Sequence, residues 1–429
     1  MNETRLDVMP QRRRIKHGFG LIGSGTTPRS STPEDYFKGS IPWVTSSELR
    51  ENVITETAQH ITHEAFESHS ALKLYPPGTV LFTMYGATIG RVAQLGIEAC
   101  VNQAVCALAA PHHFDTRFAF YALQACKDAL LSLASGGGQP NLNAEKLCEH
   151  YLPQPPLADQ RAIAQLLDRE TKRLDVLVTG KEQLLGLLEE KRHAFTFRTV
   201  TRGLNPRAPM KDSGHAWLGE IPSHWEVKRT KRVFSERDDR SETGEAELLT
   251  VSHITGVTER SEKDVNMFEA ETKEGYKICS PGNLVINTLW AWMGAMGIAA
   301  DEGIVSPAYH VYELADEILP GYVDALVRTP AFTKEVTRFS TGVWSSRLRL
   351  YPEGLFEVRI PVPPLDEQKA IVAAIEKERA RTSEFETALR HSIALLKERR
   401  AALITAAVTG KIAVPADRAL TRIEATHEN

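Results

Sequence analysis

Residues 155–202 read PPLADQRAIAQLLDRETKRLDVLVTGKEQLLGLLEEKRHAFTFRTVTR, and residues 363–410 read PPLDEQKAIVAAIEKERARTSEFETALRHSIALLKERRAALITAAVTG. They align without a gap at an offset of 208. Sixteen of the 48 positions are identical, among them Pro155/Pro363, Leu157/Leu365, Gln160/Gln368, Ile163/Ile371, Glu190/Glu398 and Arg192/Arg400. After the opening Pro-Pro-Leu no proline interrupts either copy, so each predicts one long helix, with Asp159 or Asp366 placed to cap it. A 4,3 stepping through the first copy meets Ile163, Leu167, Leu174, Leu177, Leu184, Leu188 and Phe195, and in the second it meets Ile371, Ile375, Phe385, Leu389, Leu396 and Leu403. The competing reading is an amphipathic helix lying on its own globular domain, but a helix this long outruns a domain of the size available. Two matched seams in one chain most simply bury each other, as an antiparallel coiled coil.

The flanking segments repeat as well. Pro77-Gly78-Thr-Val-Leu-Phe parallels Pro281-Gly282-Asn-Leu-Val-Ile at an offset of 204, Gly90 parallels Gly294, and Arg14-x-Lys16-x-x-Phe19 parallels Arg229-x-Lys231-x-x-Phe234. A period near 200 residues is a duplicated domain pair and not a solenoid. The globular segments carry short β-rich runs, TVLFTMYGAT (79–88) and NLVINTLWAW (283–292), followed by helical stretches from Phe118 to Leu133 and from Tyr322 to Phe339. This is an α+β pattern made twice, with a pseudo-twofold relation between the copies. The expected organisation is a globular domain over 1–152, a helical region over 153–205, a second globular domain over 206–358, a second helical region over 359–414, and a tail over 415–429.

Composition narrows the function classes. The 429 residues are 42% hydrophobic, enough for a core, and 51 basic against 55 acidic residues leave a net charge of −4, which argues against a strongly basic, stand-alone nucleic-acid binder. Five cysteines, odd in number and without a C-x-x-C, argue against a disulfide framework or a zinc site and for a reducing cytosol. The N-terminal MNETRLDVMPQRRRIK has no apolar run, so no secretory leader is expected there. Ile278 to Ala300 is uncharged and long enough to cross a bilayer, yet its Pro281-Gly282 turn and its glycines read better as a turn and a buried strand.

Motifs of catalysis are missing. Gly18-Phe-Gly20-Leu-Ile-Gly23 fits G-x-G-x-x-G but follows QRRRIKH and precedes Ser24-Gly25-Thr-Thr-Pro28, so a flexible loop is expected and not a dinucleotide site. Gly180-Lys181 and Gly410-Lys411 lack the hydroxyl residue of a phosphate-binding loop, and no Asn/Asp-Pro-Pro-aromatic run of an amino-methyltransferase occurs. His60-x-x-His63 has no third ligand at useful spacing and reads as a surface pair, with no metal site.

Three features fit DNA reading instead. Basic clusters stand at matched places, Arg12, Arg13, Arg14 and Lys16 in the first half and Lys228, Arg229 and Lys231 in the second. Polar loops carry side chains able to read base edges: Gln139, Asn141 and Asn143 in SGGGQPNLNAEKL (135–147), and Ser345, Ser346, Arg347 and Arg349 in STGVWSSRLRLYPEGL (340–355). Tyr85, Trp290 and Trp292 follow the Pro-Gly strands. Singly, arginine clusters are ordinary solvated surface and tryptophans ordinary core; the matched placement in both halves is what raises the DNA reading.

Taken in order, these motifs resemble the specificity subunit of type I restriction-modification systems. The resemblance covers nearly the whole chain. It rests on Pro-Pro-Leu-x-x-Gln occurring twice, on Gly39-Ser-Ile-Pro42-Trp43-Val44 and Tyr75-Pro-Pro-Gly78-Thr-Val-Leu, on Asn102-Gln103-Ala104 and Val305-Ser-Pro307-Ala-Tyr309, and on Trp217-Leu-Gly219-Glu-Ile-Pro222-Ser-His224-Trp225. The first half has no equivalent of this last segment. The resemblance implies a non-catalytic, cytoplasmic chain with two target-recognition domains, each reading one half of a split site in double-stranded DNA, held apart by the helix pair. It also implies that two methyltransferase subunits dock on the helices and methylate adenine with S-adenosylmethionine. Restriction subunits, where present, would use ATP and Mg. The alternatives from other classes are a catalytic DNA methyltransferase or nuclease with an unrecognised active site, and a coiled-coil scaffold with no DNA role.

Overall fold

The computed structural model describes residues 11–28, 36–135, 141–261, 272–344, 347–412 and 414. The chain divides into two compact units, one of residues 1–181 with 391–429 and the other of residues 182–390. Each long helix contributes one part to each unit: the first spans Leu157–Arg202 and the second Leu365–Val408.

The first unit is built on a five-stranded sheet in the order Phe19–Ser24, Val105–Pro111, Val80–Thr83, Val92–Leu95, Val53–Ile54. The central strands are buried on both faces, which is why VLFT and VCALA read as continuous apolar runs. The Gly18-to-Gly23 stretch is not the flexible loop expected of it. Residues Phe19–Ser24 form an edge strand paired with Val105–Pro111, because Leu21 and Ile22 have a sheet to extend and glycines are tolerated at an edge. Helices Thr116–Ala125 and Lys127–Leu131 cover one face of this sheet. Asp115 caps the first of them, accepting from the amides of Arg117 and Phe118 at 3.0 Å each. Phe82, Phe118, Phe120 and Tyr121 pack in one core with Ile163, Ala164 and Leu167 from the start of the first long helix and Ile404, Ala407 and Val408 from the end of the second. Within this unit the two helices therefore run in opposite directions.

The second unit repeats the arrangement. Its four-stranded sheet has the order Phe234–Arg237, Tyr309–Leu314, Leu284–Asn287, Met296–Ile298, strand for strand the same as the first four of the other unit. Helices Pro320–Val327 and Pro330–Arg338 take the covering position. Trp225, Tyr312, Tyr322 and Phe332 share a core with Val200, near the end of the first long helix, and with Ile371 and Ile375 from the start of the second. Again the helices are antiparallel. The fully buried Tyr322 hydroxyl lies 2.8 Å from Val200 O and 3.0 Å from Pro361 O, so it ties the first long helix to the strand before the second.

The Pro-Gly turns fall where the pattern put them. Gly78 and Gly282 have φ of +88° and +91°, the third position of a type II turn that a side chain strains, and each leads into a central strand. Ile278 to Ala300 accordingly holds the end of one strand, two further strands and a short 3-10 turn, and among the described residues no helix is long and apolar enough to cross a membrane. The segment found only in the second half, Trp217 to Trp225, links the end of the first long helix to the second sheet. Its strand Glu220–Pro222 pairs with Met210–Asp212 just upstream, and the buried Trp225 indole donates to Glu367 Oε2 at 3.0 Å on the first turn of the second long helix. Gly203, at φ +69°, lies against that indole.

Several seam positions need correction. Ile163, Leu167, Leu174, Ile371, Ile375 and Leu389 are buried, while Leu188, Phe195, Leu396 and Leu403 are half-buried. Leu177, Leu184 and Phe385 are exposed. Thr171, Thr382, Ile393 and Ile404 are buried on the helices in addition. The strict heptad fails because a straight helix drifts about 20° per heptad from a 3.5-residue period. Asp159 and Asp366 are corrected too: they lie inside the first turn, where their charge favours the helix dipole, and not at a capping position.

Candidate nucleic-acid interface

In each unit a loop returns to the same point of the sheet. In the first, Ser135 and Asn141 exchange backbone hydrogen bonds at 3.0 and 2.9 Å, and the next residue, buried Leu142, donates its amide to Met84 O at 2.8 Å. In the second, Thr341 and Arg349 exchange bonds of 2.9 Å each, and buried Leu350 donates to Thr288 O at 3.2 Å. Met84 and Thr288 each follow the last residue of the Pro-Gly strand. The strand end, the turn after it and the loop that closes onto it thus form one site per unit.

The first unit's site is polar. Tyr85 bridges to Asn141 and is half-buried, which raises its hydroxyl pKa. Asn141 and Asn143 are exposed. Asn143 Oδ1, however, accepts from the Lys146 amide at 2.8 Å and caps the short helix Ala144–Glu149, so this oxygen is engaged locally. Gln139 lies outside the described residues.

The second unit's site is apolar and cationic. Leu289, Trp290, Trp292, Arg347 and Arg349 line an open cleft of 390 Å³. Trp292 donates its indole N–H to Leu289 O at 3.0 Å and so fixes the turn, leaving Trp290 free to project, 49% exposed. Gly294, at φ +90°, closes the same turn, in the place that Gly90 holds at φ +79° in the first unit. The neighbouring Val343 and Trp344, which the sequence reading did not single out, are exposed by 94% and 69%. Ser345 and Ser346 lie outside the described residues. The signal for Val343 and Trp344 was present in the sequence, since two large apolar residues in a loop opening with Ser-Thr-Gly have no core to enter.

The basic clusters are placed elsewhere, at the base of each unit. Arg12–Arg14 pairs with Tyr151–Pro153 and Glu226–Arg229 pairs with Arg359–Val362, the strands that run into the long helices. Most of these cations have carboxylate or polar partners. Arg14 is 3.1 Å from Glu149, Lys16 also binds Glu149, and Arg13 Nε donates to Gln154 at 2.8 Å. Lys228 lies 2.5 Å from Glu317 and 3.1 Å from Glu226, and Arg229 pairs with Glu357. The hydrogen bond from Lys16 holds the Glu149 carboxyl below its usual range, and Glu317 pushes the Lys228 ammonium up. Apart from Glu226, these partners lie 89 to 141 residues away along the chain, so no local periodicity marks them. Arg12 and Lys231 are exposed. The two candidate sets, loop residues and basic clusters, are therefore not brought together.

Among the described residues no group of three or more His, Cys, Asp or Glu stands close enough to hold a metal ion. Burial raises the thiols of Cys100 and Cys106 to about 12, which makes them poor nucleophiles.

Residues 15–185 match the family model described as type I restriction modification DNA specificity domain. The chain is 24% identical over 35% of its length to the type I restriction enzyme EcoR124I/EcoR124II specificity subunit of Escherichia coli, and 25% identical over 62% to the MjaIX specificity subunit of Methanocaldococcus jannaschii. It spans 39% of the length of the first relative and 63% of the second. A solved chain from a structural study of complex assembly and conformational transition of the type I R-M system superposes with a TM-score of 0.68 at 15% identity, covering 96% of this chain and all of that one, a likeness of fold.

Proposed function

We propose that this chain, which belongs to the family of type I restriction-modification specificity proteins, is the DNA-specificity subunit of such a complex and performs no chemistry itself. The observation that carries the reading is the duplicated loop-and-strand-end site, one per unit, on a scaffold whose halves share strand order. Two like sites with unlike side chains suit a bipartite target whose two blocks differ in sequence. The recognition domains are residues 1–152 and 206–358, and the helical regions are residues 153–205 and 359–414. The loop residues Tyr85, Asn141, Trp290, Trp292, Arg347 and Arg349 contact bases, while the partnered Arg14, Lys16, Lys228 and Arg229 mainly brace the strands beside the long helices.

The methyl and phosphoryl chemistry belongs to partners in this reading. Two methyltransferase subunits supply S-adenosylmethionine-dependent adenine methylation, and restriction subunits, where present, bring ATP and Mg. The helices offer a docking surface: Val176, Leu177, Leu184 and Leu187 on the first and Phe385 and Leu395 on the second are large apolar residues left exposed, at positions a solitary helix pair would fill with charge. A complex of this kind works on cytoplasmic DNA.

Sequencing the adenine methylation of cells with and without this chain tests the proposal. The expected result is a split motif present only with the chain. Loss of no motif, or methylation by the purified chain alone, overturns it. Binding of S-adenosylmethionine by the isolated chain would favour the catalytic alternative instead.

A further inference from the structure

We infer that the second unit reads its half-site through the 5-methyl groups of thymine, with Trp290 and Trp344 as the reading side chains. The inference deepens the DNA-reading proposal and rests on it. Leu289 and Trp290 line the cleft at 40% and 49% exposure, and the still more exposed Val343 and Trp344 stand in the loop that brings Arg347 to it, the Arg347 amide donating to Trp344 O at 2.9 Å. Water-facing apolar residues clustered at a loop tip cost solubility and signal a surface that becomes covered. Double-stranded DNA is the occupant favoured by charge. Arg347 and Arg349 line the cleft, and no carboxylate is among its described lining residues, whereas the arginines and lysines at the base of the unit are matched by Glu226, Glu317 and Glu357.

Within duplex DNA the thymine methyl is the apolar group that the major groove presents at a base edge, and aromatic or aliphatic side chains are its natural contacts. Trp292 is unsuited to that role, because its indole is tied to Leu289 O. Trp290 is half exposed beside Arg347 and Arg349 in the cleft, and Trp344 is exposed in the loop that carries those arginines, which can reach guanine edges or phosphates. Among the described residues the counterpart site of the first unit carries Tyr85 and Asn141 instead. The two blocks of the target should therefore respond differently to removal of methyl groups.

The test uses the full chain with its methyltransferase partner and a random-sequence duplex pool. Selected sites are resynthesised with uracil replacing thymine in one block at a time, which removes the methyl and keeps the base pairing. The expected result is a loss of about threefold to fivefold in affinity per methyl in one block and no change in the other. W344A and W290A should bind the thymine and uracil versions of that block equally, and W344F should keep the preference. Because Trp344 is mostly exposed, its substitution leaves the core untouched, and V343A provides a second variant with a smaller loss. Equal binding of both versions by the unchanged chain, a sensitive block that W344A leaves sensitive, or a selected target without an A·T pair in either block overturns the inference. A pool from which no sequence is selected overturns the DNA-reading proposal itself. Self-association of the chain that W344A abolishes, with methyl sensitivity unchanged, would assign the surface to a second copy and also overturn it.

Discussion

Gln160 and Gln368 make the same three hydrogen bonds in the two halves of the chain. Gln160 Nε2 donates to Pro155 O at 2.8 Å and His113 O at 3.1 Å, and its Oε1 accepts from Asp115 N at 2.8 Å. Gln368 Nε2 donates to Pro363 O at 2.8 Å and Glu317 O at 2.9 Å, and its Oε1 accepts from Leu319 N at 2.7 Å. Both side chains are wholly buried. Each fastens the first turn of a long helix to the loop that starts the helices covering the sheet. Only an amide can donate twice and accept at once in this geometry.

Replacing either glutamine by leucine leaves one amide and two carbonyls without partners. We expect a loss of about 1–3 kcal/mol for each substitution, read by urea denaturation. Glutamate should do no better, since it has no hydrogen to give the two carbonyls at neutral pH. A stability unchanged in Q160E would contradict the assignment.

The buried and exposed leucines of the first long helix should separate cleanly. Leu167 is fully buried in the first core, so L167A should cost about 2–5 kcal/mol. Leu184, 40% exposed, should change stability by less than about 0.5 kcal/mol when made alanine, while weakening association with the methyltransferase partner. Thermal unfolding and co-purification measure the two effects separately.

Lys277 makes the second unit sensitive to acid. Its buried ammonium lies 3.0 Å from Asp238 Oδ1, and this hydrogen bond, with the further help of Arg240, holds the Asp238 carboxyl below its ordinary value of 3.8. A lowered carboxyl stabilises above its ordinary value and loses that contribution as pH falls through the folded one. The structure should therefore weaken below about pH 4 through loss of this pair. D238N should remove that part of the acid response. At neutral pH it should already be less stable by about 1–3 kcal/mol, because the buried Lys277 then keeps only the more distant Glu236, at 4.0 Å, as a charged partner. Denaturant midpoints across pH 3 to 7 for both proteins decide this.

DNA affinity should depend on the loop cations far more than on those beside the long helices. R349A should weaken specific binding by about tenfold or more, in line with about 1–3 kcal/mol for a base contact. K228A and R14A, whose cations already face Glu317 and Glu149, should change it by less than about threefold while lowering the unfolding temperature slightly. Titration at two salt concentrations distinguishes a phosphate contact from a base contact by its slope.

Helix length is expected to set the gap between the two DNA blocks. Four residues inserted near Thr179, or near its counterpart Thr387, add about 6 Å of helix at 1.5 Å per residue. Against a duplex rise of about 3.4 Å per base pair, the gap should change by one or two base pairs with both blocks unaltered. Exchanging residues 1–150 with those of a relative should change one block only. Methylation mapping reads both outcomes.

Much of this molecule is determined locally and is open to reading along the chain. The duplication, the two long helices, the Pro-Gly turns and the α+β pattern depend on short-range rules: unbroken helical periodicity, glycine at positive φ, and apolar runs between turns. The paired Gln160 and Gln368 were visible as an identity, but not as a clamp, because their partners at His113 and Glu317 lie more than forty residues away. Tertiary structure alone decided which seam residues are buried. A strict heptad does not track a straight helix, and Leu184 and Phe385 were left outside where Thr171 and Ile404 went in. It also separated two sets of side chains of the same chemical type. Arginines beside Glu149 and Glu357 became braces, whereas Arg347 and Arg349 were gathered with Trp290 around one cleft. Charge at a position is written in the chain, but whether that charge is neutralised depends on which carboxylate the fold carries to it.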